Sequence, residues 1–134
     1  MPNIEIGAIH VERLLVTADL TIDFLELPEA RVLSTPNMIL YMERTCRNNV
    51  LSFLEPGLDS VGTHVNVSHL AAAGFGSLVV FTSEITAVED RRVTFRVAAK
   101  SEDSELIGEG THERTIINVA KFASRLAAKQ KSKS

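Results

Sequence analysis

Thr35, Glu43 and His69 are the three residues of this sequence whose types and placement could do chemistry together. A carboxylate and an imidazole directed at one layer form an acid/base or nucleophile/base pair. A hydroxyl at the start of a helix adds a donor, and the free N–H groups there favour a developing oxyanion. These are the parts of an acyl-transfer or ester-hydrolysis site. Each residue alone also has a plainer reading. Glu43 reads as a surface glutamate on the flank of an amphipathic helix, His69 as a satisfied core histidine and Thr35 as an N-cap. Spacing in the sequence does not by itself bring Glu43 to His69, so both readings stand at this level.

Other polar motifs are weaker. His64 falls on the strand face opposite His69 and reads as solvent-facing. His112, within Gly108-Glu-Gly-Thr-His-Glu-Arg114, alternates with Gly110 and Arg114, which predicts a polar face or a subunit edge. Gly74-Phe-Gly76 is a turn and not a phosphate loop, because no Lys-Ser/Thr pair follows it on a helix. Four scattered histidines and one isolated cysteine, Cys46, give no zinc-type spacing.

A helix must position Thr35 and Glu43. Ser34 or Thr35 can cap it, Pro36 sits where a missing N–H costs nothing, and Glu55-Pro56-Gly57 is the stop. Between them Ile39, Met42, Cys46, Val50 and Phe53 recur every three or four residues as one apolar stripe. A strand must position His69. Val61 to Ala71 alternates, with Val61, Thr63, Val65, Val67 and His69 on one face and Gly62, His64, Asn66 and Ser68 on the other.

The remaining segments supply a sheet for the helix to cover. Gly7 to Phe24 predicts one or two strands, and Leu25 to Leu33 a loop around Pro28. Leu78 to Val88, Val93 to Lys100 and Leu106 to Val119 read as strands separated by the polar turns Glu89 to Arg92 and Ser101 to Ser104. Ala120 to Lys131 reads as a terminal helix. Short turns predict antiparallel neighbours, so the expected class is α+β, with one long helix packed on an antiparallel sheet.

At 134 residues the chain is expected to be one domain, 1–134, with a frayed tail over 129–134. Lys and Arg number 14 against 17 Asp and Glu, a net charge of −3, which argues against broad nucleic-acid binding. No run approaches the roughly 18 apolar residues of a membrane helix. With no Trp, six Phe and one Tyr, the core must be mainly aliphatic. Cys46 cannot form an intramolecular disulfide, and the N-terminal stretch has no basic and apolar leader pattern, so a reducing, cytoplasmic location is expected.

Taken in order, the motifs resemble a known family. They are Ser34-Thr35, Tyr41-Met42-Glu43-Arg44-Thr45-Cys46, Leu54-Glu55-Pro56-Gly57, Val61-Gly62-Thr63-His64-Val65, Val67-Ser68-His69 and the Gly108 to Arg114 run. The layout resembles the hot-dog-fold thioesterases, in which an antiparallel sheet wraps a long helix, and in detail the fluoroacetyl-CoA thioesterase type. The resemblance implies that the catalytic threonine, glutamate and histidine fall on Thr35, Glu43 and His69. It places the glycine and arginine near the acyl group at Gly62 and Arg114.

The implied reaction is hydrolysis of a small or medium acyl-CoA, with no metal and no bound cofactor, CoA arriving as part of the substrate. The implied assembly is a homodimer. One departure stands out: Leu25-Glu-Leu-Pro-Glu-Ala-Arg31 carries none of the aromatic residues that gate the acyl pocket of the fluoroacetate-specific enzyme. Two competing readings remain. One is an enoyl-CoA hydratase or dehydratase on the same fold using Asp59 and His64, whose five-residue spacing occurs in hydratases of related architecture. The other is a non-catalytic acyl-CoA-binding domain.

Overall fold

Ser34 takes the N-cap position of the long helix. Its side chain accepts a hydrogen bond from the Asn37 N–H, and Pro36 follows in the first turn, where no N–H is needed. A cap of this kind stabilises a helix by about 1 kcal/mol. The helix, α1, spans Thr35–Leu51 in a computed structural model that describes residues 3–133. It ends at Ser52, before the expected Glu55-Pro56-Gly57 stop. There the Phe53 N–H bonds to the Val50 carbonyl and the Ser52 hydroxyl to the Asn49 carbonyl, tightening the last turn.

Met42, Cys46 and Val50 of the predicted stripe are buried, while Ile39 and Phe53 are only half-buried. Met38, Thr45 and Asn49 complete the buried face. The two polar members are both satisfied, Thr45 within the helix and Asn49 across to the sheet. The Thr45 hydroxyl donates to the Tyr41 carbonyl at 2.7 Å, and Asn49 Nδ2 donates to the Ala8 carbonyl at 3.0 Å and to Ser83 Oγ at 3.1 Å.

The front of the chain forms one strand, β1 (Ile9–Leu15), followed by short 3-10 turns at Ala18–Leu20 and Pro28–Ala30. The other strands are β2 (Leu58–His69), β3 (Leu78–Glu89), β4 (Arg92–Ser101) and β5 (Leu106–Asn118). All pairings are antiparallel, in the order β1-β3-β4-β5-β2. The tight turns do make β3, β4 and β5 consecutive neighbours. The expectation fails between β2 and β3, which are not paired. Their connection, 70–77, is held across the chain by Leu33 N–H to the Ala73 carbonyl and Gly76 N–H to the Val16 carbonyl, both 2.8 Å. β2 is thereby sent to the far edge beside β5, and β1 closes on β3. The core between α1 and the sheet is mainly aliphatic, with Phe81 and Phe95 its aromatic members.

Simple alternation along β2 is also corrected. The register with β5 shifts between Gly62 and His64. One extra residue in a strand reverses which face the following side chains occupy. Ser60 and Gly62 upstream, and Val67 and His69 downstream, therefore all face α1. Gly62 and His69, expected on opposite faces, share one.

The terminal helix, α2, spans Val119–Ser132 and is capped by the Asn118 side chain, which accepts from the Lys121 N–H. The expected frayed tail is helical as far as Ser132, and Ser134 lies outside the described residues. Alanine and lysine are strong helix formers, and Lys129 and Lys131 in the last turn complement the helix dipole. Among the described residues no helix is long and apolar enough to cross a membrane.

Candidate active site

Because Ser34 is the cap, the Thr35 hydroxyl is free for another partner. It lies 2.7 Å from His69 Nδ1, linking the start of α1 to the end of β2. The other ring nitrogen, Nε2, is buried and has no hydrogen-bond partner. One nitrogen is thus fixed, and the other is left for water or substrate. His69 also lines an open cavity of about 290 Å³ with Val32, Leu70, Ala71 and Ala72.

Glu43 stands further along α1 with its side chain 38% exposed, 3.5 Å from Arg114 Nη1. Gly62 lies directly beneath it: a Cβ there would fall 2.8 Å from Glu43 Oε2, 3.2 Å from His112 Cε1 and 3.5 Å from Arg114 Nη1. Arg114 is buried, and its guanidinium is anchored on β2. Its Nε donates to Ser60 Oγ at 2.7 Å and its Nη2 to the Ser60 carbonyl at 2.9 Å. Burial lowers its pKa from the ordinary guanidinium value, and the Glu43 charge opposes that shift. Glu43 and Arg114 line a cavity of about 170 Å³ with Leu40, Arg44 and Arg47.

His112 was expected on a polar face or a subunit edge. It is instead buried on the inner face of β5, stacked on Phe95, with Nδ1 2.8 Å from the His64 carbonyl. Burial pushes its pKa below the usual imidazole value; the bond to His64 acts in the opposite sense and the nearby Arg114 charge in the same sense. The signal in the sequence is Ile116, an apolar residue that shares the parity of His112 and Arg114 and marks their face as inward. Ser60 carries no comparable signal. Cys46, one helical turn from Glu43, is buried, and desolvation pushes its thiol up to about 12. It is a protonated packing residue and not a nucleophile.

The five site residues read from the sequence therefore fall into two groups. Thr35 meets His69, and Glu43 meets Gly62 and Arg114. The Arg47–Asp59 pair extends the same sequence of contacts, so α1 and β2 run antiparallel. The rise from Thr35 to Glu43 is about 12 Å along the helix. Gly62 and His69 are separated by about 23 Å of strand. One chain does not bring Glu43 to His69.

The Asp59–His64 alternative is not assembled. Arg47 grips both Asp59 oxygens, Nε at 3.0 Å and Nη2 at 2.6 Å, and the carboxyl is lowered chiefly by that hydrogen bonding. His64 is exposed. Among the described residues no group of three or more His, Cys, Asp or Glu is placed to hold a metal ion.

Comparison with known proteins agrees with this architecture. Residues 16–120 match the model of the family FlK, fluoroacetyl-CoA-specific thioesterase. The fluoroacetyl-CoA thioesterase of Streptantibioticus cattleyicolor is 41% identical over 107 residues, 80% of this chain and 75% of that protein. A solved structure of the fluoroacetyl-CoA thioesterase FlK superposes with a TM-score of 0.85 at 33% identity, covering 95% of this chain and 98% of the other. A hot-dog-like protein from Thermanaerovibrio acidaminovorans shares the fold, with a TM-score of 0.83 at 24% identity over 94% and 93% of the two chains. With its helix wrapped by a five-stranded antiparallel sheet, this chain belongs to the FlK family, a thioesterase family of the hot-dog fold.

Proposed function

We propose that the protein hydrolyses a small or medium acyl-CoA to the carboxylic acid and free CoA. The observation that carries this is Glu43: a half-exposed carboxylate, backed by Arg114, at a cavity that three guanidinium groups also line. Cations around that cavity match an anionic ligand such as a CoA ester. Glu43 either attacks the thioester carbonyl, giving an anhydride that water opens, or takes a proton from the water that attacks. In both routes one water is consumed, the C–S bond breaks, and the CoA sulfur leaves as a thiolate. With the Thr35 hydroxyl donating to Nδ1, His69 carries its ring proton on Nε2 and delivers it to the sulfur. The proton released from the attacking water returns to the ring. Thr35 orients the imidazole and, through it, the substrate.

The two groups of residues become one site when a second copy is added. β2 is an edge strand whose middle, 62–66, is exposed. Exposed edges invite pairing with another chain. A two-fold axis passing between Val65 and Asn66 sets Gly62 of one copy opposite His69 of the other, carrying Glu43 toward the second copy's Thr35–His69 pair. We therefore read the active form as an isologous homodimer with two symmetry-related sites. The aromatic-free stretch Leu25 to Arg31 gives no basis for selecting a fluorinated acyl group.

Turnover across a panel of acyl-CoAs, followed by thiol release, tests the proposal. Thiol release that is lost in Glu43→Gln supports it. Tight acyl-CoA binding without thiol release on any chain length overturns it in favour of a binding domain.

A further inference from the structure

His112 is not among the reacting groups assigned above, yet it touches the one that holds Glu43. Its Nδ1 is 2.8 Å from the His64 carbonyl oxygen. A carbonyl oxygen only accepts, so Nδ1 carries the ring proton. His64 lies at the bulge in β2, where the register with β5 shifts. On the neutral ring Nε2 then holds a lone pair, and it stands 3.2 Å from Arg114 Nη1. A guanidinium only donates, so this contact runs from Arg114 to His112. The same Nη1 reaches Glu43 Oε2 at 3.5 Å. Ser60 fixes the other side of the guanidinium through Nε and Nη2.

Building on the reading of Glu43 as the reacting carboxylate, we propose that His112 is a positioning residue: as a neutral, Nδ1-protonated acceptor it aims Arg114 Nη1 at Glu43. The chain of contacts runs from the His64 carbonyl through the ring and Arg114 to the carboxylate. Each link has only one chemically allowed direction. A proton on Nε2 would set an N–H against the Arg114 N–H groups and break the second link, the one that aims Nη1 at Glu43. The charged and titratable groups around the ring are Arg114, Glu43 and His64. Phe95 covers one ring face, which holds the imidazole in the plane that both contacts require. Misplacing a reacting group by about 1 Å costs on the order of 10² in rate without removing any reacting atom.

The test uses His112→Gln and His112→Phe in the full chain, with the wild type examined by nitrogen-15 NMR of the histidine rings. Glutamine keeps one donor for the His64 carbonyl and one acceptor for Arg114; phenylalanine keeps only the shape. The expected result is a kcat loss on the order of 10²-fold in the Phe variant with KM within about threefold, substantial recovery of kcat in the Gln variant, and an Nδ1-protonated His112 ring in the wild type. A Phe variant with wild-type kcat, a Gln variant no better than Phe, or an Nε2-protonated ring overturns the proposal. The ring's tautomer needs neither turnover nor a folded variant, so it decides the matter even if the Phe variant does not fold. Failure of the underlying reading is seen separately, as full activity in Glu43→Gln.

Discussion

Thr35 Oγ1 and His69 Nδ1 meet at 2.7 Å between the first residue of α1 and the last of β2. This contact selects which imidazole nitrogen is available, since it occupies Nδ1 and leaves the buried Nε2 without a partner. Because Ser34 and not Thr35 caps the helix, the hydroxyl can serve the ring without cost to the helix start.

His69→Ala should therefore lower thioester hydrolysis on the order of 10²–10⁴-fold, as loss of a positioned proton carrier does. His64→Ala removes an exposed imidazole; the backbone carbonyl that His112 uses remains, so activity should stay within a few-fold of wild type. Initial rates of the two variants on the same acyl-CoA decide it. A larger loss for His64 would contradict the assignment of His69.

Gly62→Ala tests how closely the β2 backbone approaches the carboxylate. The added methyl would sit 2.8 Å from Glu43 Oε2 and 3.2 Å from His112 Cε1, so Glu43 must move. Since Glu43 is a flexible side chain, the fold should persist while kcat drops by about tenfold or more. Circular dichroism alongside kcat and KM measures both. Unchanged kcat in a folded Gly62→Ala protein would show that Glu43 does not work from the position it holds here.

What could be read in advance follows from the range of the interactions involved. The helix start was legible because Ser34-Thr35-Pro36 is local chemistry, and the β3–β4–β5 meander because its turns are short and polar. The β2–β5 pairing was not legible, since hydrogen bonds from 70–77 to Val16 and Leu33, far off in sequence, set the path of the connection. The bulge between Gly62 and His64 leaves the alternation looking regular while reversing its faces. That local slip is why Gly62 was assigned to the wrong face and His69 to the right one. His112 was misread for a related reason: polarity outweighed parity, although Ile116 shares its face.

Stability should fall on mild acidification because of His112. Burial holds its folded pKa below the ordinary 6.5, so below that pH the unfolded chain takes up a proton that the folded ring still refuses. The unfolded state then binds more protons, and stability decreases as pH falls. The contribution is complete above 6.5 and is lost progressively from there toward the lower folded value. Asp59, also held below its ordinary value of 3.8, contributes only in a more acidic window. The melting temperature should therefore drop between about pH 7 and about pH 5, and His112→Gln should flatten that drop. Parallel profiles for the two proteins would show that the proton enters elsewhere.

The strongest test of the assembly pairs two inactive variants. If each site takes Glu43 from one copy and Thr35–His69 from the other, Glu43→Gln and His69→Ala damage the two homodimers by different routes. In a mixed dimer of the two variants, one site carries both substitutions and the other carries neither. Random exchange makes half the dimers mixed, each with one intact site of two, so activity should return to about a quarter of wild type. Sites built within a single chain would stay inactive after mixing, because every chain lacks one of the two groups. The experiment requires subunit exchange, which light scattering at micromolar concentration and a tagged copy can verify independently of catalysis. Recovery near a quarter would locate the two halves on opposite sides of the β2 edge. A fully exchanged but inactive mixture would refute the shared site even if the protein is dimeric.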